Sequence, residues 1–128
     1  MIATEFVIEV ENTPGQLAKV ARTLGKEGIN IKAITTERIG KQGYIRILVD
    51  NEEKTKKVLE DGDFLYTEGE VLVKAFDDKP NALAEVADAL AKEGVNIEAI
   101  YLGTFHQGKV NVVFVLDDIS AGRRILGD

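Results

Sequence analysis

A short polar turn at residues 12–16, Asn-Thr-Pro-Gly-Gln, is the first place where residue types and spacing indicate chemistry. Proline at the first helical position lacks only an N–H that the helix leaves unpaired, and glycine places no side chain over the remaining N–H groups. These groups lie at the positive end of the helix dipole, where a ligand carboxylate can approach. Thr13 and Gln16 also fit a capping box, which would simply begin the helix. From the residues alone both interpretations stay open.

Catalytic chemistry has few candidate residues in this chain. There is no cysteine, which excludes disulfides, thiolate nucleophiles, zinc ribbons and iron–sulfur clusters, and the single histidine, His106, excludes a multi-histidine metal site. His106 falls beside a predicted hairpin turn and is interpreted as a solvated loop residue. The run Asp61-Gly62-Asp63 lacks the spaced acidic ligands of a calcium loop and is interpreted as a turn. We expect no catalytic residue, no metal and no cofactor, and hence no enzyme.

Composition and charge narrow the class of protein further. Apolar residues make up 45% and charged residues 30% of the 128, which is typical of a globular protein. The net charge of −6 disfavours nucleic acid as a partner, because phosphate binding needs clustered Lys and Arg. The first residues carry no basic segment and no apolar run approaches a membrane helix. The sequence therefore predicts a cytoplasmic protein without a membrane partner.

An internal repeat organises the chain. Residues 14–34 align with residues 80–100 at an offset of 66, and 13 of these 21 positions are identical. The correspondence resumes at an offset of 67, where Leu59 matches Leu126. The repeat predicts two modules, repeat 1 at residues 1–68 and repeat 2 at residues 69–128.

Each repeat is predicted to run strand, helix, strand, strand, helix. The first helix carries an apolar stripe that ends at Gly28 in repeat 1 and at Gly94 in repeat 2. The stripes consist of Leu17, Val20, Ala21 and Leu24, and of Leu83, Val86, Ala87 and Leu90. The second helices are expected at about residues 52–61 and 118–126. Residues 62–67 add a fourth strand to repeat 1.

Repeat 2 ends soon after its second helix, so the sequence predicts that it lacks the last strand. The resulting open edge favours strand addition by another chain. We therefore expect a homodimer or a higher homo-oligomer.

The predicted order is that of an α+β, ferredoxin-like βαββαβ module, an antiparallel sheet with both helices on one face. The repeat resembles the ACT domain family, in which a polar-x-Pro-Gly turn precedes the helical stripe and Gly-Ile-Asn-Ile follows it. Repeat 1 carries this last motif at residues 28–31, and repeat 2 has Gly-Val-Asn-Ile at residues 94–97. The resemblance covers nearly the whole chain and implies a tandem ACT protein.

The same resemblance implies an allosteric regulatory module that binds a small ligand, usually an amino acid, where two modules meet. The expected ligand-binding residues of repeat 1 are Asn12, Thr13, Pro14, Gly15, Gln16, Leu17, Asn30 and Ile31. Further candidates in repeat 2 are Asp78, Lys79, Asn81 and Asn96. Because Asn81 replaces the glycine of the turn, its side chain is expected to crowd the second site.

Two functions from different classes fit these expectations. The first is a free-standing regulatory protein that binds an amino acid and controls an enzyme. The alternative is an interaction subunit that docks on a metabolic enzyme or a transporter without a ligand of its own. An RNA-recognition platform is disfavoured, because it requires base-stacking aromatics and positive charge that the chain does not show.

Overall fold

The computed structural model describes residues 1–127, which form four helices and six strands. In chain order the elements are β1 (Ile2–Glu11), α1 (Gln16–Lys26), β2 (Ile31–Ile39), β3 (Gln42–Val49), α2 (Glu52–Asp61), β4 (Leu65–Asp77), α3 (Ala82–Lys92), β5 (Ile97–His106), β6 (Lys109–Leu116) and α4 (Ile119–Leu126). None of the helices in this part of the chain has the length and apolar character needed to span a membrane.

The chain divides into two compact units. The N-terminal unit consists of Thr4–Gly69, and the C-terminal unit consists of Met1–Ala3 together with the chain from Glu70 onward. Each unit is an α+β module of the ferredoxin-like kind, with two helices on an antiparallel sheet. The fold class expected from the repeat is therefore confirmed.

In the N-terminal unit the strand order is β2-β3-β1-β4. Alternate residues of β1 point to the helices, and these include Phe6, which lies opposite Ile47, and Ile8, which lies opposite Ile45. The apolar stripe of α1 supplies Val20 and Leu24 to the same core. The core is completed by Ile29 and Leu59.

In the C-terminal unit the order is β1-β4-β6-β5, with only the first residues of β1 taking part. Leu72 of β4 lies opposite Phe114 of β6, and both side chains are fully buried. Val86 and Leu90 of α3 pack into this core as Val20 and Leu24 do in the other unit. The repeated sequence therefore builds the same core twice.

The edge of β4 in the C-terminal unit is paired by the start of the chain. The Met1 amino group donates to the Val73 carbonyl at 3.0 Å, and the Val73 N–H donates to the Met1 carbonyl at 2.8 Å. Two residues that exchange both bonds form an antiparallel pair. This pairing occupies the edge that the sequence predicts to be open. That edge therefore gives no argument for a homodimer.

β4 joins two segments that the sequence analysis kept apart. The expected fourth strand of repeat 1 at residues 62–67 and the first strand of repeat 2 form one continuous strand of 13 residues, Leu65–Asp77. Its first part belongs to the N-terminal unit and its second part to the C-terminal unit.

The C-terminal ends of the first helices were predicted correctly, whereas the start of α1 was not. Gly28 and Gly94 follow the helices with φ of 71° and 73°, and the next N–H in each unit bonds back to Leu24 or Leu90, which confirms the predicted stops. The predicted start of α1 is wrong: Pro14 is not the first helical residue and Thr13 forms no capping box, because α1 begins only at Gln16 after Gly15, and no side chain caps it.

Candidate ligand-binding site

Each unit has an open cavity at the same place in its fold, beside the loop that leads from the first strand into the first helix. The N-terminal cavity lies between this loop, α1, β2 and β3 and has a volume of about 260 Å³. The C-terminal cavity lies between the β4–α3 loop, α3, β5 and β6 and has a volume of about 410 Å³. Ligand pockets commonly have volumes of about 300–1,000 Å³.

The lining of the N-terminal cavity is mixed, with polar and apolar side chains in similar measure. The structure brings together four of the predicted residues here, namely Asn12, Thr13, Gln16 and Leu17. The Gln16 side-chain amide donates to the Thr13 hydroxyl at 3.2 Å, so these two polar groups hold each other. The remaining lining residues are Val10, Glu11, Thr36, Glu37, Arg38, Gly43, Tyr44 and Ile45. A ligand here would meet the carboxylates of Glu11 and Glu37 and the guanidinium group of Arg38.

Pro14 and Gly15 shape the loop without lining the cavity. Gly15 has a φ of 92°, in the left-handed region that favours glycine, and its carbonyl accepts the Lys19 N–H at 3.0 Å. A Cβ added at Gly15 would meet no heavy atom within 4 Å. The backbone conformation therefore favours glycine at this position, and the space around it remains open.

Asn30 and Ile31 lie outside both cavities. The backbone N–H of Asn30 donates to the Asp50 carboxylate at 3.0 Å, and Ile31 opens β2 with its side chain against the N-terminal core. In the other unit the Asn96 N–H donates to the Asp117 carboxylate at 2.9 Å. The structure therefore gives these positions a demonstrable role in joining the first helix to the sheet.

The C-terminal cavity has an apolar floor and a charged mouth. Apolar atoms dominate its surface, and they come from Phe76, Ala82, Leu83, Ile100, Leu102, Phe105, Val110 and Val112. Asp77, Asp78 and Lys79 complete the lining. The side chains of Leu102 and Phe105 are 53% and 61% exposed, so much of this apolar surface faces solvent. Two predicted candidates, Asp78 and Lys79, thus lie beside an apolar pocket.

Charges at this mouth are arranged around Asp77. Lys109 donates to the Asp77 carboxylate at 2.9 Å, and the Lys79 ammonium lies 3.8 Å from its other oxygen. The Lys109 hydrogen bond and charge, with a smaller effect from Lys79, lower the pKa of Asp77. The Asp78 N–H donates to the Gly108 carbonyl at 2.8 Å, while its carboxylate makes no ion pair with the residues described here. A free carboxylate and a loosely paired ammonium therefore flank the cavity.

Asn81 does not crowd this cavity, contrary to expectation. It adopts φ 71° and ψ −9°, close to the φ 92° and ψ −7° of Gly15, because asparagine tolerates the left-handed conformation. It is absent from the cavity lining. The glycine-to-asparagine change therefore preserves the loop and leaves the second cavity open.

Sequence reasoning missed the apolar floor of the C-terminal cavity. Leu17 and Leu83 were assigned to the apolar stripes of their helices, and only Leu17 was also predicted to bind a ligand. Their side chains are 45% and 58% exposed and line the two cavities. The available signal was the composition of β5, where Leu102 and Phe105 replace polar residues of repeat 1.

Among residues 1–127, no group of three or more His, Asp or Glu side chains is placed to hold a metal ion. Thr104, the one hydroxyl beside His106 in sequence, accepts a hydrogen bond from the Asn111 amide at 2.9 Å. The charged and polar side chains of the two cavities can hold a small ligand by charge and shape.

Comparison with known proteins finds a matching family model and similar solved structures. The family model described as "ACT domain" matches residues 4–61. A solved structure of protein BT0572 from Bacteroides thetaiotaomicron is 31% identical, with a TM-score of 0.91, and the match covers 98% of this chain and 87% of that one. No curated protein sequence gives a significant match.

Two further solved structures share the fold at lower identity. The regulatory subunit of aspartate kinase from Thermus thermophilus, in a ligand-free form, is 19% identical with a TM-score of 0.67, over 98% of this chain and 90% of that one. The regulatory subunit of aspartate kinase from Thermus flavus is 20% identical with a TM-score of 0.59, over 88% and 82%.

This chain belongs to the ACT domain family. Members of the family are typically non-catalytic regulatory modules that bind small molecules, and the two open cavities fit that class of protein.

Proposed function

We propose that this protein is a cytoplasmic, free-standing regulatory protein that binds a free amino acid at the loop between the first strand and the first helix of its units. One observation carries the proposal: a small cavity recurs at this loop in both units, and in the C-terminal unit Lys79 and Asp78 place opposite charges at its mouth. An amino acid carries one carboxylate and one ammonium group, so it complements this pair of charges.

Similar proteins support the regulatory part of the proposal. The related Thermus chains are regulatory subunits of aspartate kinase, and this chain spans 90% of the Thermus thermophilus subunit. A ligand regulates only to the extent that it binds one conformational or association state more tightly than another. We therefore propose that the amino acid changes how this protein associates with itself or with an enzyme.

We infer that ligand binding changes the self-association of this protein, and the edge of the sheet supports this inference. β5 is an end strand of the sheet order, and it carries Leu102 and Phe105 as exposed apolar residues. Edge strands with exposed apolar side chains pair readily with another chain. Sedimentation velocity with and without an amino acid should show a change in the monomer–dimer ratio. A sharp monomer at micromolar concentration in both conditions would contradict the homo-oligomer.

The amino-acid proposal is tested by thermal unfolding in the presence of each common amino acid. A ligand at 100 times its dissociation constant should stabilise the protein by about 2.7 kcal/mol, which is a clear shift in Tm for a protein of this size. No shift with any amino acid would instead favour an interaction subunit that docks without a ligand.

Site assignment needs separate variants. Gly15→Arg places a large cation in the loop of the N-terminal unit, and Lys79→Ala removes the cation from the C-terminal mouth. Gly25→Arg is the matched control, because Gly25 lies in α1 with no heavy atom within 4 Å of an added Cβ, outside both cavity linings. If neither Gly15→Arg nor Lys79→Ala weakens binding relative to Gly25→Arg, the ligand binds elsewhere.

A further inference from the structure

We propose that the two cavities have diverged, and that the C-terminal cavity selects amino acids with large apolar side chains while the N-terminal cavity does not. This inference rests on the proposed amino-acid binding and assigns its side-chain specificity to one unit. It follows from the register of the sheets, which shows which residues occupy equivalent positions.

Thr36 and Arg38 of β2 occupy the floor positions of the N-terminal cavity. Thr36 lies opposite Ile45 and Arg38 lies opposite Gly43. Residues opposite each other in an antiparallel pair share one face of the sheet, and Ile45 belongs to the core beneath the helices. Thr36 and Arg38 therefore point to the helix-facing side, where they make the floor polar.

In the C-terminal cavity the equivalent positions are apolar. Leu102 lies opposite Val112 and Phe105 lies opposite Val110, and both valines belong to the core beneath α3 and α4. Leu102 therefore replaces Thr36, and Phe105 replaces Arg38. Val110 also replaces Gly43, where an added Cβ would lie 3.2 Å from a Val10 methyl group.

A β-bulge in β5 creates this apolar floor. Leu102 and Phe105 are three residues apart, but their partners Val112 and Val110 are only two apart, so β5 contains one extra residue between them. Without that residue, side chains three apart would point to opposite faces. The bulge also accounts for the change in the repeat offset from 66 to 67, because Leu102 aligns with Thr36 at 66 and Phe105 aligns with Arg38 at 67.

The mouth of the C-terminal cavity fits the carboxylate and ammonium groups that all free amino acids share, and its floor fits an apolar side chain. Lys79 is held only at 3.8 Å from Asp77, while Lys109 keeps the shorter 2.9 Å contact. Lys79 can therefore turn to a ligand carboxylate without leaving Asp77 unpaired, and Asp78 faces the ligand ammonium group. A polar ligand side chain would meet Leu83, Leu102 and Phe105, which offer it no hydrogen bond, so its desolvation would be uncompensated.

The test is isothermal titration calorimetry of the whole chain with leucine, methionine and phenylalanine, compared with serine, aspartate and lysine. We expect the apolar set to bind at least about tenfold more tightly, since even one methylene group in an apolar pocket changes affinity by about 10–200-fold. The double variant Leu102→Thr/Phe105→Arg gives the C-terminal floor the residues of the N-terminal one. It should lose about tenfold or more in affinity for the apolar set.

The double variant Thr36→Ala/Arg38→Ala is the matched control, because it changes the same two positions of the N-terminal cavity. It alters only the N-terminal cavity, so it should not reduce the preference of the protein for apolar over polar amino acids. Leu83→Thr is a second variant, on α3 rather than on β5, and should also weaken binding. All three variants alter side chains that are largely exposed, and circular dichroism verifies that each is folded.

Each outcome separates this proposal from the proposed function. If polar amino acids bind as tightly as apolar ones, or if only the Thr36/Arg38 variant weakens binding, the specificity proposal is wrong and amino-acid binding stands. If no amino acid binds at all, the proposed function fails and the specificity proposal fails with it. If the Leu102/Phe105 variant changes sedimentation but not ligand affinity, the apolar floor is a contact between copies of this chain, and the specificity proposal is overturned.

Discussion

Asn30 and Asp50 exchange two hydrogen bonds: the Asn30 N–H donates to the Asp50 carboxylate at 3.0 Å, and the Asp50 N–H donates to the Asn30 carbonyl at 3.1 Å. The C-terminal unit repeats this pair with Asn96 and Asp117 at 2.9 and 3.2 Å. Each pair joins the segment after the first helix to the segment before the second. The repeated aspartate therefore has a structural reason to recur.

Asp50→Ala is expected to lower the free energy of unfolding by about 1 kcal/mol, because the Asn30 N–H loses its acceptor. Urea unfolding measures the change. Asn30→Ala is the matched control, since the pair uses only the backbone of Asn30, and it should change stability by less than about 0.5 kcal/mol. A larger effect of Asn30→Ala than of Asp50→Ala would show that the asparagine side chain stabilises the fold in another way.

Substitution by alanine should have opposite effects on stability at two helical glycines, Gly122 and Gly25. An added Cβ at Gly122 of α4 would collide with the Leu116 side chain, which is buried and cannot move freely, so Gly122→Ala should destabilise by about 1–3 kcal/mol. Gly25 lies in α1 with open space around it, and Gly25→Ala should stabilise by up to about 1 kcal/mol through helix propensity. Thermal unfolding of both variants tests the signs. Stabilisation by Gly122→Ala would show that Leu116 adopts another rotamer without cost.

Ile2 should stabilise the C-terminal unit although it lies at the start of repeat 1. Its side chain packs against the core that contains Leu72 and Phe114. Ile2→Ala removes a partly buried side chain and should cost about 1–2 kcal/mol in urea unfolding. Ile39→Ala, at a side chain that is 63% exposed, is the control and should change stability by less than about 0.5 kcal/mol. Equal effects of the two variants would contradict the packing of Ile2.

The sequence predicted what local patterns determine and missed what distant pairing determines. The stripe of Leu24 and the glycine stop at Gly28 are local, so the first helices were found. Thr13 and Gln16, which were predicted as ligand-binding residues, lie together beside a cavity. The pairing of Met1 with Val73 joins residues 72 positions apart, and no local pattern signals it.

The apolar cavity was missed for a related reason. Strict alternation places residues three apart on opposite faces, so alternation alone does not bring Leu102 and Phe105 to one surface. The change of offset showed that one residue is inserted in repeat 2, but only the register of β5 against β6 places it between these two residues.

The ion pair between Asp77 and Lys109 should make stability depend on pH in the acidic range. Because Lys109 lowers the pKa of Asp77 below its ordinary value of 3.8, the folded protein favours the ionised carboxylate more than the unfolded chain does. The stabilisation is therefore fully present above pH 3.8 and is lost as the pH falls through the lower pKa of the folded state.

Asp77→Asn removes this contribution, so its Tm should lie below that of the unmodified protein at neutral pH, and the two values should converge below pH 3.8. Added salt should shrink the difference at neutral pH, because the pair is exposed and screened. Asp88→Asn is the control, since Asp88 is exposed and makes no ion pair with any residue that the structure describes. A Tm difference for Asp77→Asn that persists unchanged into strong acid would show that Asp77 stabilises the loop without its charge.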